Sequence, residues 1–193
     1  FQEMVQWGVE EGVDFIIGET FYYAGEAYAA LEEIKKSNLP AVLTIAPMGE
    51  NIMRDNISIV ETCKELEQRG ADVVGMNCFR GPTTMMPYLK EIRKEIKCHM
   101  AALPIPFRTT KEQPTFFNLD DNNNCTCPAP HGRTFPTALD PMYCNRYEIR
   151  KFAEDAHTLG INYLGVCCGA APMHIREVAE AIGRVVPASR YHE

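Results

Sequence analysis

Apolar positions along the chain alternate between two spacings. Short continuous apolar runs, suited to strands buried on both faces, are separated by stretches where apolar residues recur at helical spacing. Met4, Val5 and Val9 lead into Glu11-Gly12, a helix end with glycine as its stop. The chain is therefore expected to open inside a helix, with upstream elements missing. Val13 to Glu19 is the first predicted strand, and Ala27, Tyr28, Leu31 and Ile34 predict a helix stopped by Asn38-Leu39-Pro40. Ala41 to Pro47 is the second strand; Ile59, Cys63 and Leu66 mark a helix ending at Gly70, and Asp72 to Cys78 is the third strand. Met85, Leu89, Ile92 and Ile96 predict the next helix, with Thr83 or Thr84 as its N-cap. His99 to Ile105 is the fourth strand. From Pro106 to Asn145 the pattern lapses, broken by five prolines after Pro106 and the polar run Asp120 to Asn124, so 106–145 is expected to be one long irregular loop. Ile149, Phe152, Ala153 and Ala156 then predict a helix to Gly160, and Asn162 to Cys168 is the fifth strand. A last helix starts at Pro172, with Ile175, Val178, Ala179 and Ile182 on its buried face.

Buried strands alternating with helices mean a parallel sheet with right-handed crossovers. An internal repeat narrows the architecture. Gly12 to Gly18, Gly70 to Gly75 and Gly160 to Gly165 share one form: helix-stop glycine, one residue, Asx, apolar run, glycine, with the Asx directly after the stop's successor. Counted from the stop glycine, Glu19 lies seven residues on and Cys78 eight, while Cys167 and Cys168 lie seven and eight on. That register levels the four polar groups at the C-terminal ends of parallel strands, the catalytic face of a (β/α)8 barrel. A full barrel takes about 250 residues. The expected fold is thus α/β, a TIM barrel of which the chain carries strands four to eight, with 1–193 as the C-terminal portion of one barrel domain.

Composition changes this picture only at the margins. The formal net charge of -7 leaves no general basic surface for nucleic acid or anionic lipid. No apolar run approaches the roughly 18 residues of a membrane span, and no signal pattern opens the chain. Eight cysteines are too few for a disulfide scaffold of this length and read as reduced thiols in a cytoplasmic protein.

Three of those cysteines are candidates for chemistry. Cys78 taken alone reads as a small buried hydrophobe. Cys167-Cys168 reads either as a strained vicinal disulfide or as one buried and one exposed thiol. The shared register adds a third reading, one soft metal ion bound by all three, with a coordination position left open. Neighbouring strand residues point to opposite faces, so the backbone must leave the β conformation there, and Gly169 permits that turn. A set of three thiolates selects zinc, which would deprotonate a substrate thiol in the open position. Glu19 reads as a first-turn carboxylate of the next helix or as a partner for a substrate ammonium group. Cys125, Cys127 and Cys144 lie in the loop as bystanders, Cys125-Thr126-Cys127 lacking the spacing of a zinc knuckle. Cys63 reads as core, and His99, His131, His157 and His174 as solvated or structural. Met85-Met86 and Tyr22-Tyr23 read as packing.

Gly75-Met76-Asn77-Cys78, Tyr163 to Gly169 and Pro172-x-His174-Ile175-Arg176 resemble segments of the zinc-dependent homocysteine S-methyltransferases, most closely the betaine-dependent branch. Phe15 to Phe21 and Leu139-Asp140-Pro141 are similar to further segments of that family. The resemblance implies a (β/α)8 barrel, Zn2+ held by Cys78, Cys167 and Cys168, and methyl transfer to homocysteine sulfur, giving methionine. It implies a substrate-binding role for Glu19, with Asn77 grouped beside it. The donor would be betaine, another onium compound such as S-methylmethionine, or a methylated folate. Thr20 stands where the betaine enzymes carry tyrosine, and the loop around 121–133 looks longer. The complete protein is expected to be a cytoplasmic enzyme, able to form a homo-oligomer, and this stretch alone inactive. The alternative is a non-catalytic zinc-binding relative.

Overall fold

The computed structural model of the chain describes residues 1–49, 51–120, 134–136 and 138–191. Five strands among the described residues form one sheet: β1 (Ile16–Phe21), β2 (Ala41–Ile45), β3 (Val73–Asn77), β4 (His99–Leu103) and β5 (Tyr163–Leu164). Their order in the sheet is their order in the chain. β1 pairs parallel to β2 from Ile16↔Ala41, and β2 to β3 from Val42↔Val73 to Ile45↔Met76. Helices separate them: α1 (Gln2–Glu10), α2 (Ala24–Lys36), α3 (Ile59–Gln68), α4 (Pro82–Glu95), α5 (Arg146–Thr158) and α6 (Pro172–Ala181). Sequential parallel strands joined by helices are what the alternating pattern predicts.

Two compact units divide the chain. The first comprises Phe1–Asn77, Tyr88–Ala102 and Ile161–Tyr163. Its core is β2, buried at every residue, under Leu31 and Ile34 of α2 and Ile59, Cys63 and Leu66 of α3. Ser58 caps α3 through the Glu61 amide. Asp55, on a separate loop, accepts the Ala24 and Gly25 amides that open α2. The repeat acquires a physical meaning here. Gly12, Gly70 and Gly160 all take positive φ after their helices, as a C-terminal glycine does. The Asx two residues on then reaches the start of the preceding strand. Asp72 Oδ2 accepts the Ala41 amide at 2.8 Å, and Asn162 Nδ2 lies 2.6 Å from His99 Nδ1. Asp14, the third member, is exposed just before β1, a strand that has a neighbour among the described strands on one side only.

That free side corrects the first expectation. β1 runs from Ile16 to Phe21 rather than Val13 to Glu19, and Phe15 and Ile17 are each 44% exposed instead of buried. An end strand has a neighbour on one side only.

The second unit comprises Cys78–Pro87, Leu103–Gly160 and Leu164–Glu193. α5 packs on α6, and its start carries a capping box in which Asn145 and Glu148 exchange hydrogen bonds. Three expectations are corrected in this unit. Neither Thr83 nor Thr84 caps α4: Pro82 opens the helix, and Thr84 Oγ1 instead meets Thr109 Oγ1 and the Pro114 carbonyl. The fifth strand is two residues long, because the backbone turns away before the cysteines. The inward stripe of α6 is His174, Glu177 and Val178, while Ile175 is 45% exposed. Polar side chains with partners displaced it: Glu177 meets Arg150 at 2.6 Å, and His174 Nδ1 accepts the Ala171 amide. The described parts of 106–145 hold two single 3-10 turns, Phe116–Asn118 and Asp140–Met142.

Candidate metal centre

β3 delivers Cys78, and the chain then does something costly. Cys78 and Phe79 both adopt positive φ, 58° and 53°, a conformation that disfavours any residue with a Cβ by about 1–2 kcal/mol. The turn is held from several sides. The Cys78 amide donates to Leu103 O at 3.0 Å, the Arg80 amide to Cys78 O at 2.6 Å, and the Phe116 amide to Phe79 O at 2.9 Å. Phe79 itself packs against Phe116 and Phe117. Surroundings that determine a strained conformation this fully are characteristic of functional sites.

Cys167 and Cys168 leave β5 on a different kind of turn. The Cys167 amide donates to Pro104 O at 2.8 Å, the Ala170 amide returns to Cys167 O at 3.1 Å, and Gly169 takes φ +84°. Adjacent side chains therefore stop alternating. The three sulfurs all lie within 4.8 Å of one another, with Cys78–Cys168 at 3.4 Å and Cys167–Cys168 at 3.9 Å. Zinc–thiolate bonds of about 2.3 Å at tetrahedral angles separate sulfurs by about 3.8 Å. The triangle fits that dimension. Cys78 is buried, Cys167 intermediate and Cys168 exposed. Without a cation, crowding opposes ionisation: the Cys167 sulfur and then burial raise the Cys78 pKa, and burial raises that of Cys168. A bound cation inverts that preference, since a coordinating thiol is deprotonated. It is the one cluster of three or more such ligand atoms among the described residues.

Glu19 and Asn77 belong to the other unit. Glu19 is exposed on β1 and lines a cleft of about 570 Å³ with Phe1, Ile17, Thr20 and Glu26. Asn77 is 1% exposed. Its Oδ1 accepts the Thr20 amide at 3.0 Å and its Nδ2 donates to Thr20 Oγ1 at 2.6 Å. Thr20 has φ 65°, an outlier for a β-branched residue, so Asn77 fixes the strained end of the strand that carries Glu19.

The remaining candidates sort readily. Cys125, Cys127 and His131 lie outside the described residues. Cys144 is buried, and burial pushes its thiol up to about 12. Cys63 is fully buried core. Cys98, without a signal in the pattern, sits with its amide on Glu67 Oε1, its thiol raised to about 11 by burial first and Glu67 second. Arg54 lies over the rings of both Tyr22 and Tyr23, and Met85 and Met86 are buried. His174 is structural, stacked on Tyr143 and held below the usual imidazole range by burial. Sequence reasoning missed Tyr143 altogether. Its hydroxyl donates to Gly169 O at 2.7 Å, a contact across 26 residues that no local pattern announces. No helix among the described residues is long and apolar enough to cross a membrane.

With that geometry in hand, comparison with known proteins is informative. A family model described as homocysteine S-methyltransferase matches residues 1–182. Betaine–homocysteine S-methyltransferase 1 of Xenopus tropicalis is 31% identical over 204 residues, covering 100% of this chain and 47% of that protein. S-methylmethionine–homocysteine S-methyltransferase BHMT2 of Pongo abelii is 32% identical over 203 residues, covering 100% of this chain and 52% of that one. The chain spans about half the length of the curated relatives it matches. Among solved structures, the metallated form of the homocysteine methyltransferase MmuM from Escherichia coli matches with a TM-score of 0.63 at 12% identity, over 93% of this chain and 52% of that one. At that identity the likeness speaks to fold: a parallel α/β sheet that is part of a (β/α)8 barrel.

Proposed function

Because the chain belongs to the homocysteine S-methyltransferase family, we propose that it carries the zinc-binding part of an enzyme that methylates the sulfur of homocysteine to give methionine. The observation that carries this reading is the sulfur triangle of Cys78, Cys167 and Cys168. These three residues would hold zinc, which would supply positive charge and an open position favouring the thiolate form of a substrate thiol. The rest falls to the protein. The left-handed turn at Cys78 and the Gly169 turn keep the three ligands together before any metal arrives. Glu19 takes the ammonium group of homocysteine, and Asn77 serves the substrate through Thr20 by holding the end of β1. The new carbon–sulfur bond forms as the donor's onium bond breaks, the bonding pair leaving with the donor.

The donor is betaine or another onium compound; the relatives include both betaine and S-methylmethionine enzymes. We take the complete protein to be cytoplasmic, 1–193 to be the C-terminal portion of one barrel domain with 106–145 as a long loop within it, and self-association to be available to it. Taken alone, this chain is expected not to turn over homocysteine. β1 offers an unpaired edge among the described strands, and in-line transfer demands a donor held at near-contact distance. The second reading, a zinc-binding relative without activity, keeps the same ligands and loses the reaction.

One experiment separates the readings. The full-length protein, loaded with zinc, is given homocysteine with betaine, S-methylmethionine or methylated folate in turn, and methionine is measured. Formation with an onium donor, lost in Cys168→Ala, supports the enzyme; one bound zinc with no methionine from any donor supports the non-catalytic relative. In the active protein Glu19→Gln should raise the homocysteine KM while leaving zinc content intact, and unchanged kinetics would return Glu19 to a helix-end role.

A further inference from the structure

The two ligand turns lean on one short stretch of chain. Leu103 O accepts the Cys78 amide, Pro104 O accepts the Cys167 amide, and the Ile105 amide donates back to Arg80 O at 3.0 Å. Beyond it, Phe107 pairs with Tyr143 in an antiparallel bridge, with Arg108 N donating to Met142 O at 2.7 Å and Cys144 N to Pro106 O at 2.9 Å. One strut, 103–108, therefore touches both ligand turns and carries Tyr143.

The turn at Cys167 is the less secured of the two. Its glycine has no side chain to anchor, and its carbonyl needs a partner. Tyr143 supplies one: its hydroxyl donates to Gly169 O at 2.7 Å. The phenol is itself immobilised. Its ring lies 4.7 Å from that of Phe107 and is stacked on His174 at 5.7 Å with a 9° interplanar angle. His174, 3% exposed, accepts the Ala171 amide through Nδ1, closing the far end of the same turn. Phe107 lies so near Gly169 that a Cβ there would sit 2.6 Å from its ring.

We propose that Tyr143 is a positioning residue for the metal centre: by fixing the Gly169 carbonyl it holds Cys167 and Cys168 toward Cys78, and so sets how tightly and how durably the metal is bound. The inference rests on the metal reading above. Groups that orient metal ligands from behind typically change metal affinity about 10–100-fold when removed.

The test compares the wild-type chain with Tyr143→Phe, which keeps the ring and deletes the donor. Zinc affinity is measured by chelator competition, zinc release by stopped flow, and ligand geometry by the visible spectrum of the Co2+-loaded protein. Tyr143→Phe is expected to bind zinc about 10–100-fold more weakly, to release it faster and to show a shifted Co2+ spectrum. Incorporating 3-fluorotyrosine at position 143, which keeps ring and donor, should retain wild-type values. Equal affinity and an identical Co2+ spectrum in Tyr143→Phe, even beside a lower melting temperature, would overturn the proposal and leave Tyr143 a packing residue. Failure of Tyr143→Phe to fold, or loss of binding in the fluorinated protein, would overturn it too. Wild-type protein that takes up neither zinc nor Co2+ would instead defeat the metal reading itself, a result readable before any variant is made.

Discussion

Cys78 and the Cys167-Cys168 pair reach the same place by opposite means. The first arrives on a five-residue strand, four of whose residues are buried, and turns through two successive left-handed residues that both bear side chains. The second leaves a two-residue strand and turns through one left-handed glycine. Strain at the first turn is overcome by what surrounds it: Phe79 is 4% exposed, and its carbonyl and the Cys78 amide are both bonded. The second turn is unstrained but lightly held, and depends on Phe107, Tyr143 and His174 to stay in shape. A ligand on a strained, well-held turn and a pair on an unstrained, lightly held one thus bring three sulfurs within 4.8 Å of one another.

The largest effect should come from removing a ligand. Cys167→Ala is expected to lose on gel filtration the one zinc that the proposal assigns to the three sulfurs, whereas Cys125→Ala and Cys144→Ala should retain it. Full retention by Cys167→Ala at unchanged affinity would dissolve the shared centre, and with it the comparison. Next comes the glycine turn. Gly169→Ala meets both the left-handed penalty and overlap with Phe107, about 2–5 kcal/mol together, and should also impair zinc binding. Gly12→Ala has positive φ but nothing within 4 Å, so about 1–2 kcal/mol is expected, with the metal unaffected. Denaturant midpoints for the pair would show whether crowding distinguishes the two positions.

On the other turn, Phe79→Gly relieves about 1–2 kcal/mol of backbone strain but gives up a buried ring normally worth about 3–5 kcal/mol. Net destabilisation is expected; a more stable Phe79→Gly would mean that the turn is held by its backbone alone. The smallest effect concerns the end of the strut. Arg108 donates through Nε and Nη2 to the two Glu148 carboxylate oxygens, each at 2.8 Å, and this pair lowers the Glu148 pKa from 4.5. A folded pKa below the unfolded one stabilises fully above about pH 4.5 and is lost as pH falls through the folded value. With both side chains more than a third exposed, Glu148→Gln should cost no more than about 1 kcal/mol at pH 7. The gap between Glu148→Gln and wild type in urea midpoint should narrow below pH 4.5; a gap that widened would reverse the sign.

What could be read from the sequence divides along the same line. The strand–helix order was legible because buried strands and amphipathic helices have different apolar spacings. So was the grouping of the three cysteines, since the distance from helix-stop glycine to strand end is conserved within the repeat itself. Burial on α6 was not, because His174 and Glu177 are polar and go inside only for the sake of Ala171, Tyr143 and Arg150. Nor was the N-terminus of α4, where Thr84 turns away to Thr109 and Pro114. The left-handed conformations of Cys78 and Thr20 gave no signal: neither is glycine or asparagine, and only the assembled surroundings hold them.

The Asx repeat has a consequence in time. Ala41, which opens β2, waits for a hydrogen-bond partner 31 residues later, and His99, which opens β4, for one 63 residues later. At synthesis rates of about 5–20 residues per second those delays are about 2–6 s and 3–13 s. The starts of β2 and β4 therefore gain these partners only once the beginning of the following strand has been made. Growth on the ribosome would leave these two strands frayed at their starts until the chain beyond them has emerged, so that their order lags translation by the whole connection to the next strand.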